Sequence, residues 1–307
     1  MPRNPGFGIG LTAVLAAVVI WGAQLPVAKA TYGVMDAVSL TALRYSIAVV
    51  LLAAFLRWRE GAAAFSLGAR PGLLVVAGLC GMSGSPLLVF AGLAYTTPEH
   101  AVIILALQPS MSALAQWAWR GSRPPPFTVA TIIAAFLGVV LVVTGHGEGN
   151  DGGKLVGDAL VAAGAACWVT YSLMLAMFPG MSALRFTTLS CSIGAAATLL
   201  IALACALGGV ARLPSLPAAL TVAPHILYLA LAGVTAAMVM WNFGSARIGV
   251  LNSILLLNLM PVETYLIRYW QGAHFTLQEW LGAALVIAAL VANNLFQRRE
   301  HQRSSVP

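Results

Sequence analysis

The sequence predicts an all-α integral membrane protein, with ten transmembrane helices laid down as two inverted five-helix repeats. Three observations carry this reading. Of the 307 residues, 60% are hydrophobic and only 8% are charged, whereas about a quarter of a soluble globule of this length would be charged. Ten long apolar segments follow one another, roughly 8–28, 38–56, 72–94, 99–118, 127–145, 155–177, 184–208, 222–244, 250–270 and 277–296, each near the ~20 residues a helix needs to cross a bilayer. The second half also repeats the first: Ala91–Pro109 aligns with Phe243–Pro261 at an offset of 152, placing Ala94 on Ala246 and Pro109 on Pro261. Phe127-Thr128 falls on Phe275-Thr276 at an offset of 148, and Trp21 in segment 1 matches Trp168 in segment 6. Because five is odd, a duplicated five-helix unit inserts the other way up, the plan of secondary transporters with a midplane site between halves.

Each segment follows from its letters. Segment 1 is longer than the apolar core of a signal peptide and its basic start is weak, so Ala28-Lys29-Ala30 is expected to be an intact helix exit. The first repeat is expected over 1–147, a glycine-rich polar linker over 148–154 within Gly145–Lys154, and the second repeat over 155–307 with a short cytoplasmic tail. A second long connection, Gly208–Pro224, carries Pro214, Pro217 and Pro224; the other connections are short, so successive helices are antiparallel neighbours. Thirty glycines suit close helix packing where no hydrophobic force drives association. Cys80, Cys167, Cys191 and Cys205 lie inside apolar segments without metal-type spacing and read as small packing residues.

The formal charge of +7 follows topology. With the N-terminus inside, Arg3, Arg57, Arg59, Arg70, Arg120, Arg123, Arg185, Arg247, Arg298, Arg299 and Arg303 are cytoplasmic, while Lys29, Lys154, Arg212 and Arg268 lie towards the other side. That bias puts both termini in the cytoplasm. No nucleic-acid partner is implied, and no phosphate-binding G-x-x-x-x-G-K-[ST] loop or other cofactor motif is present.

Trp21-Gly22 through Lys29, then Leu43-Arg44-Tyr45, resemble the opening signature of the EamA-type drug/metabolite transporter superfamily. Gly92-Leu93-Ala94-Tyr95-Thr96-Thr97 leading to Leu107-Gln108-Pro109 is similar to its later pattern. The resemblance covers essentially the whole chain. It implies a basket of ten helices, with segments 5 and 10 peripheral and a central cavity lined by the other eight, in a bacterial inner-membrane exporter of amino acids, sugar derivatives or drugs. One departure matters: the small four-helix drug exporters of this superfamily use an embedded Glu in their first helix, and segment 1 here holds no acid.

Candidate substrate-binding residues are Trp21, Gln24, Arg44, Trp168, Tyr171, Ser172, Trp241 and Asn252. Trp21 and Gln24 are three apart, Trp168, Tyr171 and Ser172 share a helix face, and Trp241 shares one with Ser245. Such faces suit a ligand with an apolar body and a polar head. Candidates for coupling or gating are Glu263, His100 and Lys29, since ionisable groups at membrane depth are costly. Asn252, Leu256, Leu259 and Glu263 read as one stripe on segment 9; the competing reading pairs Glu263 with Arg268. Lys29 sits near a helix end and can snorkel, and His100 reads as a surface residue or helix-start cap ahead of a relay. Pro26, Pro86, Pro109 and Pro261 free carbonyls that either bond a substrate ammonium or permit bending.

The expected activity is export of small amphipathic metabolites, foremost apolar or aromatic amino acids, by a monomeric secondary transporter in contact with lipid. A drug or cation exporter is the alternative, with Glu263 as counter-charge. An intramembrane protease is the third: Gly81-Met82-Ser83-Gly84 and His146-x-x-x-Asn150 resemble rhomboid motifs, but the His/Asn pair falls in the linker, far from Ser83. A channel is disfavoured, because no ring of charges or filter-like loop is present.

Overall fold

The computed structural model describes residues 5–121, 123–144, 151–211 and 214–304. Ten helical runs occupy the ten apolar segments. They are α1 (Pro5–Gly22 and Gln24–Lys29), α2 (Ala37–Glu60), α3 (Pro71–Ala77, a π-helical Gly78–Gly84, and Ser85–Tyr95), α4 (Pro98–Leu105 and Gln108–Arg120) and α5 (Pro126–Thr144). The second five are α6 (Asp151–Leu175), α7 (Ala183–Leu207), α8 (Ala223–Leu227, a π-helical Tyr228–Ala236, and Ala237–Ile248), α9 (Val250–Leu256, a 3-10 turn Leu257–Leu259, and Met260–Trp270) and α10 (Leu277–Ser304). Among the described residues, seven runs of 22–26 residues are long and apolar enough to cross a bilayer, and α5 and α10 carry shorter apolar stretches. Exposed aromatics gather at both ends, Trp58 and Trp119 at one and Tyr95, Tyr269 and Trp270 at the other, as in proteins that anchor in two lipid–water interfaces.

Helix starts are set by side chains that satisfy free backbone N–H groups. The Asp36 carboxylate accepts from Val38 N and Ser39 N, Thr97 Oγ1 from His100 N, and Ser182 Oγ from Arg185 N. Thr276 and Glu279 form a reciprocal capping box ahead of α10. Two boundaries differ from expectation. The proposed linker is partly helix, because α6 begins at Asp151; glycines there cost about 1 kcal/mol each against alanine but do not forbid a helix. His146 and Asn150 lie outside the described residues. The expected tail likewise continues α10 as far as Ser304.

The repeats interlock through glycine crossings. A Cβ on Gly92 of α3 would lie 2.5 Å from Gly157 O of α6, and one on Gly157 would lie 2.8 Å from Gly92 O. The same arrangement joins α8 to α1, where a Cβ on Gly244 would lie 2.5 Å from Gly10 O. Gly92 and Gly244 are 152 positions apart, and Gly10 and Gly157 are 147 apart, the spacing of Trp21 and Trp168. Thus the third helix of each repeat clasps the first helix of the other. Backbones this close pack without side-chain gaps. The α5–α10 pair packs at the edge through Gly138 and Gly282, and neither helix contributes to the central cavity.

Candidate functional site

Helix interruptions shape the centre. Pro26 lacks an N–H and so leaves Gly22 O without its helical donor; Thr264 Oγ1 of α9 takes that carbonyl at 2.7 Å, and Tyr228 Oη donates to Ile20 O at 2.6 Å. The protein itself therefore occupies the carbonyl that Pro26 frees, which leaves bending as its role in segment 1. Pro109 and Pro261 break α4 and α9 at repeat-related positions. Leu105 and Gln108 from one break, and Leu257 and Met260 from the other, all face the cavity. The π turns in α3 and α8 place Gly81 and Gly233 at the same level, 152 positions apart. A Cβ on Gly81 would strike the Tyr171 ring at 2.3 Å, and one on Gly233 would meet Gln24 Oε1 at 2.9 Å. Gln24 and Tyr171 are repeat mates at an offset of 147. Each π turn thus lets a side chain of the opposite repeat's first helix lie directly against its backbone.

Between these breaks lies a cavity of about 600 Å³, its open side included. Its wall combines Trp21 and Gln24 of α1, Arg44 and Tyr45 of α2, Phe90 of α3, Gln108 of α4 and Trp168 of α6 with aliphatic residues of α8 and α9. Helix α7 stands behind this wall. The Trp21 ring meets Trp168 edge-on at 5.2 Å and Trp241 at 5.4 Å, and Trp168 lies 5.7 Å from Trp241. Such pairs contribute about 0.5–1.5 kcal/mol each beyond area burial. Trp21 Nε1 donates to Gly233 O at 2.8 Å, fixing the ring across the repeat boundary.

Arg44 is 1% exposed. Nη1 donates to Gln24 Oε1 at 3.1 Å, the guanidinium stacks 3.9 Å over Phe90, and Tyr45 lies 5.2 Å away. Nε has no partner, and no carboxylate stands within ion-pair distance among the described residues. Among the lining residues Arg44 is the one charged side chain, and none is an acid. Gln108 is buried, and its side-chain amide makes no hydrogen bond among the described residues.

Of the expected binding residues, the structure brings Trp21, Gln24, Arg44 and Trp168 to the cavity wall. Trp241, Tyr171 and Ser172 are wholly buried one layer behind it; Asn242 Nδ2 ties Tyr171 Oη at 2.8 Å to Thr187 Oγ1 at 2.7 Å. Asn252 is displaced from the site: it is exposed, and its amide donates to Ile248 O at 2.6 Å. The stripe Asn252–Leu256–Leu259–Glu263 does not form one face, because the 3-10 turn ahead of Pro261 resets the register and leaves Leu259 exposed while Leu257 and Met260 turn inward. Residues missed by sequence reasoning are Tyr45, Phe90 and Gln108. The amide of Gln108 directly before a mid-helix proline was the available signal.

The coupling candidates also find places. Glu263 packs against Gly22 at the break in α1, half-buried, with Oε2 unpaired. It does not pair with Arg268, whose Nε instead donates to Glu99 Oε1 at 2.6 Å. Lys29 donates to Leu93 O and, at 2.8 Å, to Thr96 O, closing the C-terminal end of α3 where a cation is favoured. His100 is buried, contrary to a surface cap; its Nδ1 stands 3.8 Å from Asp158 Oδ2, whose other oxygen accepts from Thr96 Oγ1 at 2.6 Å. Lys29, Glu99, Asp158 and Arg268 form a charged layer across α1, α4, α6 and α9 at one end of the bundle. At the other end Arg70 and Arg185 donate to Met177 O and Ser66 O. Ser83 accepts from Thr198 Oγ1 inside the π turn, a packing role between α3 and α7. All four cysteines are free.

The model of the EamA-like transporter family matches residues 8–144 and again residues 155–295. The chain belongs to the EamA-like transporter family. It is a multi-pass membrane transporter and not an enzyme. It is 28% identical over 301 residues to the uncharacterized transporter YrdR of Bacillus subtilis, covering 95% of this chain and 93% of that one. It is also 28% identical over 282 residues to the uncharacterized transporter YyaM of the same organism, covering 89% of each. A solved crystal structure superposes with a TM-score of 0.69 at 23% identity, over 97% of this chain and 99% of its own, a likeness of fold. In this EamA-like chain, the two matched stretches are the two halves whose helices clasp each other around the cavity.

Proposed function

We propose that this EamA-like transporter exports small amphipathic carboxylates with an apolar or aromatic body, apolar and aromatic amino acids among them, by alternating access across a bacterial inner membrane. The observation that carries the reading is the wall shared by both repeats, where the Trp21–Trp168 pair faces apolar matter and the Arg44 guanidinium offers a cation. An apolar wall with few fixed polar groups is the usual make-up of a small-molecule site. Sugar phosphates and nucleotide sugars call for several basic groups in one cavity, and the described lining holds one. The eleven-to-four arginine and lysine bias supports cytoplasmic termini, and the proposed working unit is a monomer.

A second reading has its own observation. Glu263 keeps a buried, unpaired oxygen beside the broken α1, a place where a cationic substrate or a proton would find a counter-charge. Counterflow in proteoliposomes with a panel of amino acids, sugar phosphates and cationic dyes tests both. Protein-dependent exchange of apolar or aromatic amino acids is expected; exchange of phosphorylated sugars alone overturns the assignment, and exchange of dyes alone transfers it to the second reading.

A further inference from the structure

We infer that the cavity selects by net charge: its preferred ligand is an organic monoanion, an aryl or alkyl carboxylate without an ammonium group, ahead of the zwitterionic amino acid of the same skeleton. The inference rests on the proposed transport role and narrows the substrate class. An arginine cannot shed its proton in a protein, so the cavity carries one positive charge whenever it is empty. A buried guanidinium without a counter-ion is costly, and a carboxylate from outside offsets that cost when it also fills free N–H positions. The free positions are identifiable. Gln24 holds Nη1, Phe90 covers one face, and the Nε–Nη2 edge makes no hydrogen bond among the described residues. That edge carries two parallel donors, the pair a carboxylate takes in bidentate fashion once the buried side chain turns it towards the ligand.

The same cavity gives an ammonium no counter-charge among the described residues. No acid lines it among the described residues. Asp36 is engaged in capping α2, Glu99 is held by Arg268, and Glu263 is outside the wall. The carbonyl freed by Pro26 is taken by Thr264. An amino acid docked by its carboxylate brings its α-ammonium into the same enclosure as the guanidinium, where like charges repel and low polarity screens them poorly. The Trp21 and Trp168 faces offset this in part through cation–π attraction but serve an uncharged ring equally well. Charge balance therefore favours the ligand that brings one negative charge and no positive one.

Three compounds with one skeleton separate the possibilities: 3-phenylpropionate, phenylalanine and 2-phenylethylamine. Binding to the purified full-length protein is read from the ligand-induced rise in melting temperature, and transport from counterflow in proteoliposomes against protein-free vesicles. The expected order is phenylpropionate, then phenylalanine, then the amine, with roughly ten- to hundredfold between the first and last apparent affinities, the worth of a charge-assisted hydrogen bond. Arg44→Gln should erase the order, and Arg44→Lys, which keeps the charge, should retain it with weaker binding throughout. Should Arg44→Gln not survive purification, the panel on the unaltered protein still decides. Phenylalanine or the amine binding as tightly as phenylpropionate overturns the charge selection while leaving transport intact. Vesicles that move none of the three faster than protein-free ones overturn the transport reading for this substrate class.

Discussion

Gly92→Ala and Gly244→Ala are predicted to destabilise the protein by the same amount, because they place one methyl group at two equivalent crossings. The new carbon at position 92 would lie 2.5 Å from Gly157 O and 2.9 Å from Val161 Cγ2; at position 244 it would lie 2.5 Å from Gly10 O and from Val14 Cγ2. Carbon and carbonyl oxygen settle at about 3.3 Å or more, so each pair of helices must part by roughly 0.8 Å over a contact formed by backbone on both sides. Overpacking of this kind costs about 1–3 kcal/mol, set against a gain of up to about 1 kcal/mol from replacing a helical glycine with alanine. Gly8→Ala isolates that gain, since a Cβ there meets nothing within 4 Å. Melting of the purified variants should place both crossing variants about 1–3 kcal/mol below Gly8→Ala, a fall of several degrees for a chain of this size. Crossing variants that melt with Gly8→Ala would refute the close approach; one falling without the other would refute the equivalence of the halves.

Three further outcomes are expected. Glu263→Gln should leave amino-acid or carboxylate counterflow within about twofold, because the carboxylate stands off the cavity wall and pairs with no cation among the described residues; collapse of that flux would move Glu263 into the transport machinery. Lys29→Met keeps the apolar stem but uncovers carbonyls at the end of α3 and should lower stability by about 1–2 kcal/mol, measured by thermal melting; an unchanged melting temperature would show the contact to be idle. Asn150→Cys, outside the described residues, should react with impermeant maleimide added to intact cells; labelling only from the cytoplasmic face would reverse the proposed orientation.

The spans and the duplication were legible because both are written in long runs: about twenty apolar letters per helix, and aligned stretches such as Ala91–Pro109 with Phe243–Pro261. The meeting of Trp21 with Trp168 followed from equal depth in repeat-related helices. Facing directions were less legible. A helical wheel assumes an unbroken helix, and the turn at Leu257–Leu259 voids that assumption, which is why Asn252 fell outside the site and Met260 fell inside. Trp241 and Tyr171 have the chemistry of a binding wall, yet packing places them behind it, and spacing along one helix carries no information about what its neighbour covers. The charged layer was illegible for a related reason: Thr96 and Asp158 are 62 residues apart, and Glu99 and Arg268 are 169 apart, so no local pattern links them.

The clasp between the halves also governs how the chain is made. The hydrogen bond from Trp21 reaches Gly233, 212 residues later, and at about 5–20 residues per second of synthesis α1 waits roughly 10–40 seconds for the helix that will hold it. During that interval α1 has only lipid and its early neighbours for company, which its acid-free composition tolerates. Gly10 and Gly22 meanwhile stand as open slots, each filled only when α8 and α9 arrive. Neither half is a finished object by itself, and assembly reaches closure only once the last third of the chain has entered the membrane.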